Sequence, residues 1–317
     1  MWQKKQAELV RKEIEALLAS LSDVAGLHDL VEELLSRRMR GTAAESGRGR
    51  LWSLLPLIVC EAISGRYEHA VPAAASLGLF VAAGDVFDDI EDADSSESLL
   101  ARYGSAVATN VATTLLILAE RAITRLEAGG VEPHIVVRVM DVINSFYTTA
   151  CAGQHLDLSL APEAAVSEDM YLRIAAMKSA STGECACHIG ALLATANQGL
   201  IDTLSRFGHN LGMATQINND IQGIIQGTDI VHRKLTLPVV YALAQTDGEA
   251  HDRLCAAFSK QAEYSPDPNE TRDLLFRAGA IHYATVKMEL YKQQALDILS
   301  EAERAGANVE RLKLFLE

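Results

Sequence analysis

The sequence predicts an all-α fold, and three observations support this prediction. Aromatic residues make up only 5% of the 317 residues. Alanine and leucine recur throughout, and apolar side chains follow a period near 3.6 residues over long segments. No segment shows the alternation, or the richness in Val, Thr and Tyr, that is typical of strands. We therefore expect a helical protein with a large buried core.

Helix-breaking residues divide the periodic segments into a series of predicted helices. Gly129 and Gly130 precede Pro133, and two further prolines, Pro266 and Pro268, stand where a helix should end. The predicted helices cover about 3–21, 24–39, 50–64, 68–94, 98–128, 132–158, 167–197, 200–227, 237–246, 250–263 and 270–305. No linker rich in Pro, Gly or Ser separates two regions, so residues 1–317 are predicted to form a single domain.

Charge and composition limit the classes of partner and location. The chain carries 42 acidic against 28 basic residues, a net charge of −14, which argues against a nucleic-acid partner. The N-terminal helix is amphipathic and shows no export signal. The longest uncharged apolar runs, 70–84 and 105–119, are too short to span a bilayer, so we expect no membrane span. Four of the five cysteines lie in apolar stretches, and the cysteines are expected to be core residues in a reducing compartment. We therefore predict a cytoplasmic location.

Four aspartates interrupt an otherwise apolar helix in the segment GLFVAAGDVFDDIEDAD (78–94). They are Asp85, Asp88, Asp89 and Asp92. At about 100° per residue they share one helical face. A solvated helix end, a carboxylate pair for acid–base chemistry and a cation site are the three explanations. The apolar turns before the cluster favour the cation site, because Mg²⁺ takes carboxylate oxygens and shares ligands with substrate phosphates.

A second polar interruption lies in the apolar segment MATQINNDIQGIIQGTD (213–229). Gln216, Asn219 and Asp220 repeat the spacing of the first cluster, with Gly223 in the fourth position. Two facing helices with oxygen ligands would hold a cluster of Mg²⁺ ions between them. The alternative is that these polar groups only form hydrogen bonds with neighbouring helices.

Positive charge accompanies both clusters. Lys178 lies in an apolar helix, and Lys234 follows a turn after the second cluster. The basic segment 37–50, with Arg48 and Arg50, is either a solvated connection or an anion site. Together these cations would bind a diphosphate whose other oxygens are held by metal, and would stabilise its charge as it leaves.

Five segments resemble, in the same order, the motifs of the trans-isoprenyl diphosphate synthase superfamily. They are SGRGRLWSLLPLIVCEAISG (46–65), FDDIED (87–92), GQHLDL (153–158), MKSA (177–180) and GHNLGMATQINNDIQGIIQGTDIVHRKLTLPVVYAL (208–243). The second supplies the family's first DDxxD motif, and the last carries its second aspartate-rich motif and its Lys-x-Thr-Leu-Pro signature. The resemblance covers most of the chain. It implies the all-α isoprenoid-synthase fold, a helical bundle around a central cavity that is shared with class I terpene synthases.

The resemblance also implies roles for individual residues. Two or three Mg²⁺ ions would bind between the two helices. Their ligands would be Asp88 and Asp92 on one side and Asn219 and Asp220 on the other, with Asp85 as an extra ligand or an outer group. The catalytic set would be Asp88, Asp89, Asp92, Asn219, Asp220 and Lys178, and the allylic diphosphate would contact Lys178, Gln216 and Lys234.

The chain departs from the family pattern in its second motif and in the groups assigned to isopentenyl diphosphate. Asn219 and Gly223 replace two carboxylates, so metal binding there should be weaker or rearranged. Gly49 aligns with the lysine of the first motif. Val81 aligns with the family histidine, and the first cation after the DDxxD motif is Arg102 rather than an arginine pair. The acceptor diphosphate would depend on Arg48, Arg50 and Arg102.

This asymmetry favours an enzyme that ionises one allylic diphosphate, because losing the counter-charges of a second diphosphate should be costly. The first hypothesis is a prenyltransferase that releases pyrophosphate and passes the prenyl cation to an acceptor, similar to the divergent branch that includes the ComQ-type peptide prenyltransferases. The alternatives are a terpene cyclase, a conventional geranylgeranyl diphosphate synthase and a non-catalytic partner subunit.

The resemblance finally implies a substrate length and an assembly. Bulky residues four or five positions before the first motif shorten the product in the family, and here these positions are Ala83 and Gly84. A farnesyl (C15) or geranylgeranyl (C20) chain should fit, with Phe80 also lining the tunnel. A homodimer, or a heterodimer with another synthase, is expected.

Overall fold

The computed structural model describes residues 2–40, 52–92, 98–159, 166–259 and 267–317. Arg48 and Arg50 lie outside the described residues, as do the side chains of residues 37–40 and of Asp92. Within the described ranges the chain forms helices joined by turns, and no strand occurs there. The prediction of an all-α fold is confirmed.

The helices follow one another with short connections. They are α1 (Trp2–Leu18), α2 (Ala25–Arg40), α3 (Leu55–Ser64), α4 (Val71–Asp92), α5 (Leu99–Ala128), α6 (Pro133–Leu158), α7 (Glu168–Ala175), a π-helical turn (Ala176–Ala180), α8 (Ser181–Ala194), α9 (Gln198–Gln226), α10 (Thr228–Val231), α11 (Leu237–Gln245), α12 (Gly248–Phe258), α13 (Pro268–Arg277), α14 (Ala280–Arg304) and α15 (Glu310–Lys313).

Local sequence signals explain where several helices begin. The Ser98 side chain accepts a hydrogen bond from the Ala101 N–H, and the Ser167 side chain accepts one from the Met170 N–H. Such N-cap bonds satisfy backbone donors that have no partner inside the helix. Pro133 lies in the first turn of α6, where its missing N–H costs nothing.

One predicted helix was wrong in its continuity. The segment 270–305 forms two helices, α13 and α14, that meet at Gly279. Gly279 has a φ of 74°, a left-handed conformation that glycine adopts without the steric cost of a β-carbon. Because the apolar period of a helix continues on both sides of Gly279, the sequence did not reveal that the helix is interrupted there. The short helices α10 and α15 were also not predicted.

Two clusters of buried apolar residues form the core. The larger lies among α1–α6, α8, the first half of α9 and the C-terminal end of α14. The smaller lies among α7, the second half of α9 and helices α10–α14. Helix α9 therefore runs through both clusters, and its polar residues from Gln216 onward lie in its second half.

Three segments of the described chain are long and apolar enough to cross a membrane, judged by length and composition alone. They are Glu68–Glu91, α5 and α6, whose most apolar windows are 72%, 44% and 17% buried inside the fold. The first is thus a core segment, whereas α6 keeps most of its apolar surface outside. The absence of a membrane span stays a prediction.

The cysteines are all free thiols. Cys60, Cys185 and Cys187 are buried, as predicted for core residues, and burial raises the pKa of the Cys60 thiol to about 12. The prediction is wrong for Cys151 on α6 and for Cys255 on α12, which are both exposed. The apolar sequence around Cys151 faces outward there, as it does along much of that helix.

Candidate active site

The first acidic cluster lies at the C-terminal end of α4. Asp85 is exposed, whereas Asp88 and Asp89 are half-buried. The preceding residues Ala82 and Ala83 are fully buried, so a packed helix presents these carboxylates at the point where it emerges from the core. Asp92 ends the helix, and its side chain lies outside the described part.

Lys178 brings α4 and α6 together. Its Nζ lies 3.3 Å from Asp157 Oδ2 on α6 and 3.8 Å from Asp88 Oδ1 on α4. Lys178 is the middle residue of the π-helical turn, a feature that often marks functional sites. The turn packs tightly on α6, because a β-carbon at Gly153 would lie only 2.8 Å from the Lys178 backbone nitrogen.

The next residue of the turn reaches the second polar cluster. Ser179 Oγ donates a hydrogen bond to Gln216 Oε1 at 2.6 Å, and Gln216 Nε2 donates to Asp220 Oδ1 at 2.8 Å. Consecutive side chains, Lys178 and Ser179, therefore contact Asp88 on one side and Gln216 on the other. The structure places the two predicted clusters on either side of a single π-helical turn.

Asp220 is a buried carboxylate shared by three helices, and it is only 3% exposed. Its Oδ2 accepts from the Tyr171 hydroxyl at 2.5 Å and from the Leu237 N–H at 3.0 Å, at the start of α11. Burial raises the pKa of Asp220 to about 6, although its hydrogen bonds from Tyr171, Leu237 and Gln216 act in the opposite direction. Burial also raises the pKa of Tyr171, and the Asp220 charge adds to this shift, so the hydroxyl remains the donor.

The other positions of the second motif differ in exposure. Asn219 is exposed, and Gly223 is buried. A β-carbon at Gly223 would lie 2.0 Å from Asp229 Oδ2, so the Asp229 carboxylate fills the space beside the glycine.

Lys234 lies on the turn that follows α10. Its side chain is exposed, and its backbone N–H donates to the Asp229 carbonyl at 2.9 Å. The preceding residue, Arg233, has a φ of 53° and is the non-glycine residue with positive φ in the described part of the chain. The Arg233 guanidinium donates to the Ser259 carbonyl at the end of α12.

The comparison with known proteins identifies the family. The sequence model of the polyprenyl synthetase family matches residues 33–273. The chain belongs to the polyprenyl synthetase family.

Named relatives agree with this membership. The chain is 30% identical to a geranylgeranyl diphosphate synthase of Mycobacterium tuberculosis, over 94% of this chain and 86% of that protein. It is 26% identical to the tryptophan prenyltransferase ComQ of Bacillus spizizenii, over 74% of this chain and 81% of that protein. The crystal structure of a geranylgeranyl pyrophosphate synthetase from Pyrococcus horikoshii superposes with a TM-score of 0.84 at 25% identity, covering 99% of this chain and 96% of that one. The chain is therefore an enzyme of the prenyltransferase class.

In this polyprenyl synthetase family member, the side chains around the π-helical turn fit a hard divalent cation. Asp85, Asp88 and Asp89 offer carboxylate oxygens at the emerging end of α4, and the exposed Asn219 offers an amide oxygen. The Lys178 ammonium lies within 4 Å of the Asp88 and Asp157 carboxylates, so acidic and basic groups meet at this place. Mg²⁺ prefers such oxygen donors and retains water ligands. Asp220 fits less well, because each of its oxygens already accepts a hydrogen bond from the protein.

A different group of potential ligands lies at the start of α2. Ligand atoms of His28, Asp29 and Glu32 come within 4.8 Å of one another. Asp29 and Glu32 are exposed, and His28 is half-buried. None of the three belongs to a motif of this family member, and solvated groups of this kind are common at helix starts.

The predicted cations for a second diphosphate are placed differently from those around the π-helical turn. Arg102 lies on α5, and its Nη1 donates to Glu33 Oε1 on α2 at 2.9 Å. Its guanidinium also lies 5.0 Å from the ring centroid of Tyr103. Arg102 is thus engaged in contacts between α5 and α2, and its part in an acceptor site stays a prediction.

The three tunnel residues differ in their surroundings. The Phe80 ring stacks on Tyr147 of α6, with ring centroids 4.1 Å apart. Ala83 is fully buried in the core. A β-carbon at Gly84 would meet no atom within 4 Å, so Gly84 borders open space.

Four residues of this site were missed as site residues by the sequence reasoning, and one of them, Ser179, lies in the MKSA segment beside the predicted Lys178. Asp157 lies in the GQHLDL segment, whose motif could have indicated it. Asp229 follows the second motif closely in sequence, but nothing there shows that its carboxylate folds back onto Gly223. No sequence signal distinguishes Tyr171 from an ordinary core tyrosine.

Proposed function

We propose that this chain uses Mg²⁺ to ionise an allylic prenyl diphosphate of farnesyl or geranylgeranyl length and passes the prenyl cation to an acceptor. One observation carries the proposal: the π-helical turn places Lys178 against Asp88 and Asp157, and its neighbour Ser179 against Gln216. This brings a cation and two sets of oxygen donors to one place, as the binding of a metal-bound diphosphate requires.

The side chains of the site would have different roles in the reaction. Asp88, Asp92 and Asn219 would hold the metal, which neutralises the diphosphate charge when it is bound. Lys178 and Lys234 would bind diphosphate oxygens through their ammonium groups. The bond between the prenyl carbon and the diphosphate oxygen breaks, and its electron pair leaves with pyrophosphate. The allylic cation then reacts with the acceptor.

The conventional synthase is the second candidate for the acceptor step. The relative from Mycobacterium tuberculosis is named a geranylgeranyl diphosphate synthase and aligns over nearly the whole chain. If Arg102 rebuilds the acceptor site together with Arg48 and Arg50, isopentenyl diphosphate is the acceptor. If it does not, an acceptor such as tryptophan, which the name of the ComQ relative gives, is expected.

Pyrophosphate release tests the ionisation step. We expect the purified chain to release pyrophosphate from farnesyl or geranylgeranyl diphosphate when Mg²⁺ is added. The substitutions Asp88→Ala and Asp92→Ala should abolish release, whereas Asp202→Ala, which removes an exposed acid on α9, should leave it unchanged. Wild-type rates in both motif variants would refute the proposal.

Product analysis tests the acceptor. The allylic diphosphates are incubated with and without isopentenyl diphosphate, and the products are separated by mass spectrometry. An elongated diphosphate identifies a synthase, and a cyclic hydrocarbon identifies a cyclase. A chain that binds no metal diphosphate, and is purified together with a complete synthase, would be a partner subunit.

A further inference from the structure

A cluster of charged and aromatic side chains joins α7, α11 and α14. Its members are Glu168, Tyr241, Tyr283 and Lys287, which we call the Glu168 cluster. The Tyr283 hydroxyl lies 2.6 Å from each Glu168 carboxylate oxygen and donates to that carboxylate. Lys287 Nζ lies 2.7 Å from Glu168 Oε1. None of these four residues was predicted as a site residue, although all of them hold helices that lead to the site.

The two partners of Glu168 come from one face of α14. Tyr283 and Lys287 are four residues apart, a spacing that places side chains next to each other on a helix. The Tyr283 ring also stacks on Tyr241 of α11, with ring centroids 4.0 Å apart. A single carboxylate at the start of α7 is therefore held by α14, and the same tyrosine holds α14 against α11.

Helix α7 is tied to its neighbours at two successive positions. Glu168 ties it to α14, which packs along α9. Tyr171, one turn further along α7, donates to Asp220 on α9 at 2.5 Å. Because α9 also carries Gln216, both ties fix α7 relative to the second polar cluster of the site.

The position of α7 determines where the π-helical turn lies. Helix α7 ends at Ala175, and the turn begins at Ala176 without an intervening loop. Lys178 follows Glu168 by ten residues, a distance of about 15 Å along a helix axis. A rotation of α7 at its first residue would therefore displace the Lys178 backbone. A displacement of about 1 Å in a group that positions a substrate can lower a rate roughly a hundredfold.

The Glu168 cluster is better suited to orient α7 than to stabilise the whole fold. The side chains of Glu168 and Lys287 are 32% and 29% exposed, and ion pairs that water reaches contribute little to folding. Burial acts to raise the pKa of Glu168, but the hydrogen bonds from Lys287 and Tyr283 outweigh it and lower the pKa. The carboxylate is therefore ionised at neutral pH and keeps both partners.

We propose that Glu168 is a positioning residue of the site. Through Tyr283 and Lys287 it fixes the start of α7 on α14, and α7 in turn sets where the π-helical turn presents Lys178. The inference rests on the proposed function, since Lys178 is a cation that the proposed function assigns to the diphosphate. Glu168 acts through Lys178 and needs no contact with the substrate.

Single-turnover pyrophosphate release tests the effect on the reaction. We expect Glu168→Ala to lower the release rate roughly ten- to hundredfold. Asp169→Ala is the matched control, because it removes an exposed acid from the same first turn of α7. Tyr283→Phe keeps the ring that stacks on Tyr241 and removes only the hydroxyl, so it should lower the rate by a smaller factor. Wild-type rates in both Glu168→Ala and Tyr283→Phe would overturn the inference.

A double-mutant cycle separates positioning from a general effect on the fold. If Glu168 acts by positioning Lys178, Glu168→Ala should lower the rate much less in a Lys178→Ala background, because the positioned group is already absent. An equal loss in both backgrounds would contradict this role. If Glu168→Ala does not fold, as judged by its melting curve, Tyr283→Phe takes its place in the cycle.

Hydrogen exchange gives a measurement that does not depend on turnover. Backbone amides of the π-helical turn, residues 176–180, should exchange faster in Glu168→Ala than in the wild type, and Asp169→Ala should leave them unchanged. A wild-type chain that releases no pyrophosphate would refute the proposed function, and the role of Glu168 would fail with it. An active wild type whose release and exchange are both unchanged by Glu168→Ala would refute only the role of Glu168.

Discussion

Asp220 shows how a single residue can serve the fold and the site together. Its carboxylate accepts hydrogen bonds from α7, α9 and α11, and the bond to the Leu237 N–H satisfies a donor at the start of α11. The carboxylate also orients the Gln216 amide, whose oxygen accepts from Ser179. Asp220 therefore holds the second motif in register with the π-helical turn.

The raised pKa of Asp220 predicts a pH dependence of stability. In the unfolded chain an aspartate is ionised above about pH 4, whereas the folded carboxyl has a pKa of about 6. Between about pH 4 and pH 6 the folded chain therefore binds more protons at Asp220 than the unfolded chain does. Its free energy of unfolding falls as the pH rises toward and through 6. Between pH 5.5 and 7.5 this loss should be about 1 kcal/mol without metal.

Denaturant unfolding at both pH values measures this loss. Asp220→Asn carries no titrating proton, so its free energy of unfolding should lack this part of the pH dependence. The difference between wild type and variant isolates the group from other carboxylates. An identical pH dependence in the two proteins would contradict the prediction.

We expect substitution of Lys178 to lower activity without a matching loss of stability. Its side chain is 26% exposed, and its carboxylate partners are each 45% exposed, so the ion pairs add little to folding. Lys178→Ala should lower pyrophosphate release roughly a hundred- to thousandfold, because it removes a charge that stabilises the leaving group. The melting temperature should change little. Lys292→Ala on α14 serves as the control, and an unchanged rate in Lys178→Ala would contradict the role.

At the residue scale, the sequence motifs predicted the site side chains whose positions follow from helix periodicity and motif spacing. Asp88, Lys178 and Gln216 are indeed brought together around one turn. The contact of Asp229 with Gly223 was not predictable, because it depends on how a turn folds back. The bond from Tyr171 was not predictable either, because it depends on packing between helices distant in sequence.

At the scale of elements, the π-helical turn positions the site. It packs against both α6 and α9, and its wider turn sends neighbouring side chains toward different helices. The sequence predicted one continuous helix over 167–197, since a single inserted residue barely disturbs apolar periodicity. Element type was predictable from the apolar pattern, but local changes of helix geometry were not.

The close approach of α6 to this turn gives a prediction for Gly153→Ala. The added β-carbon would lie 2.8 Å from the Lys178 nitrogen and 2.8 Å from Met177 Cβ. One element must move, which should cost about 1–3 kcal/mol of unfolding free energy. Displacement of Lys178 should also lower pyrophosphate release.

Thermal melts and the pyrophosphate assay measure both effects. Gly26→Ala is the matched control, because a β-carbon there meets no atom within 4 Å. If Gly153→Ala behaves like Gly26→Ala in both assays, the close packing of α6 does not position Lys178.

At the scale of the whole molecule, α6 is the helix that the fold leaves least covered. Only 17% of its most apolar window is buried, and Val137 is 67% exposed. On the neighbouring α5, Ile117 is 58% exposed. Exposed apolar surface on paired helices is typical of protein interfaces, which agrees with the homodimer that the family resemblance predicts.

Light scattering after size-exclusion chromatography tests the dimer. We expect a mass of twice the 34.2 kDa chain. Val137→Lys should shift the population toward monomer, because it places a charge on the proposed interface. Val286→Lys, at a 59% exposed position on α14, should not. A monomeric wild-type chain would contradict the predicted assembly.

The strained backbone at Arg233 predicts different effects of one substitution on the melting temperature and on local hydrogen exchange. A left-handed conformation costs a non-glycine residue about 1–2 kcal/mol, so Arg233→Gly should relieve strain. The same change removes the hydrogen bond to Ser259 and adds freedom to the unfolded chain, both of which oppose the gain. A melting curve can therefore remain unchanged while hydrogen exchange at residues 228–234 becomes faster. Screening for heat tolerance alone would overlook a substitution that loosens the segment carrying Asp229 and Lys234.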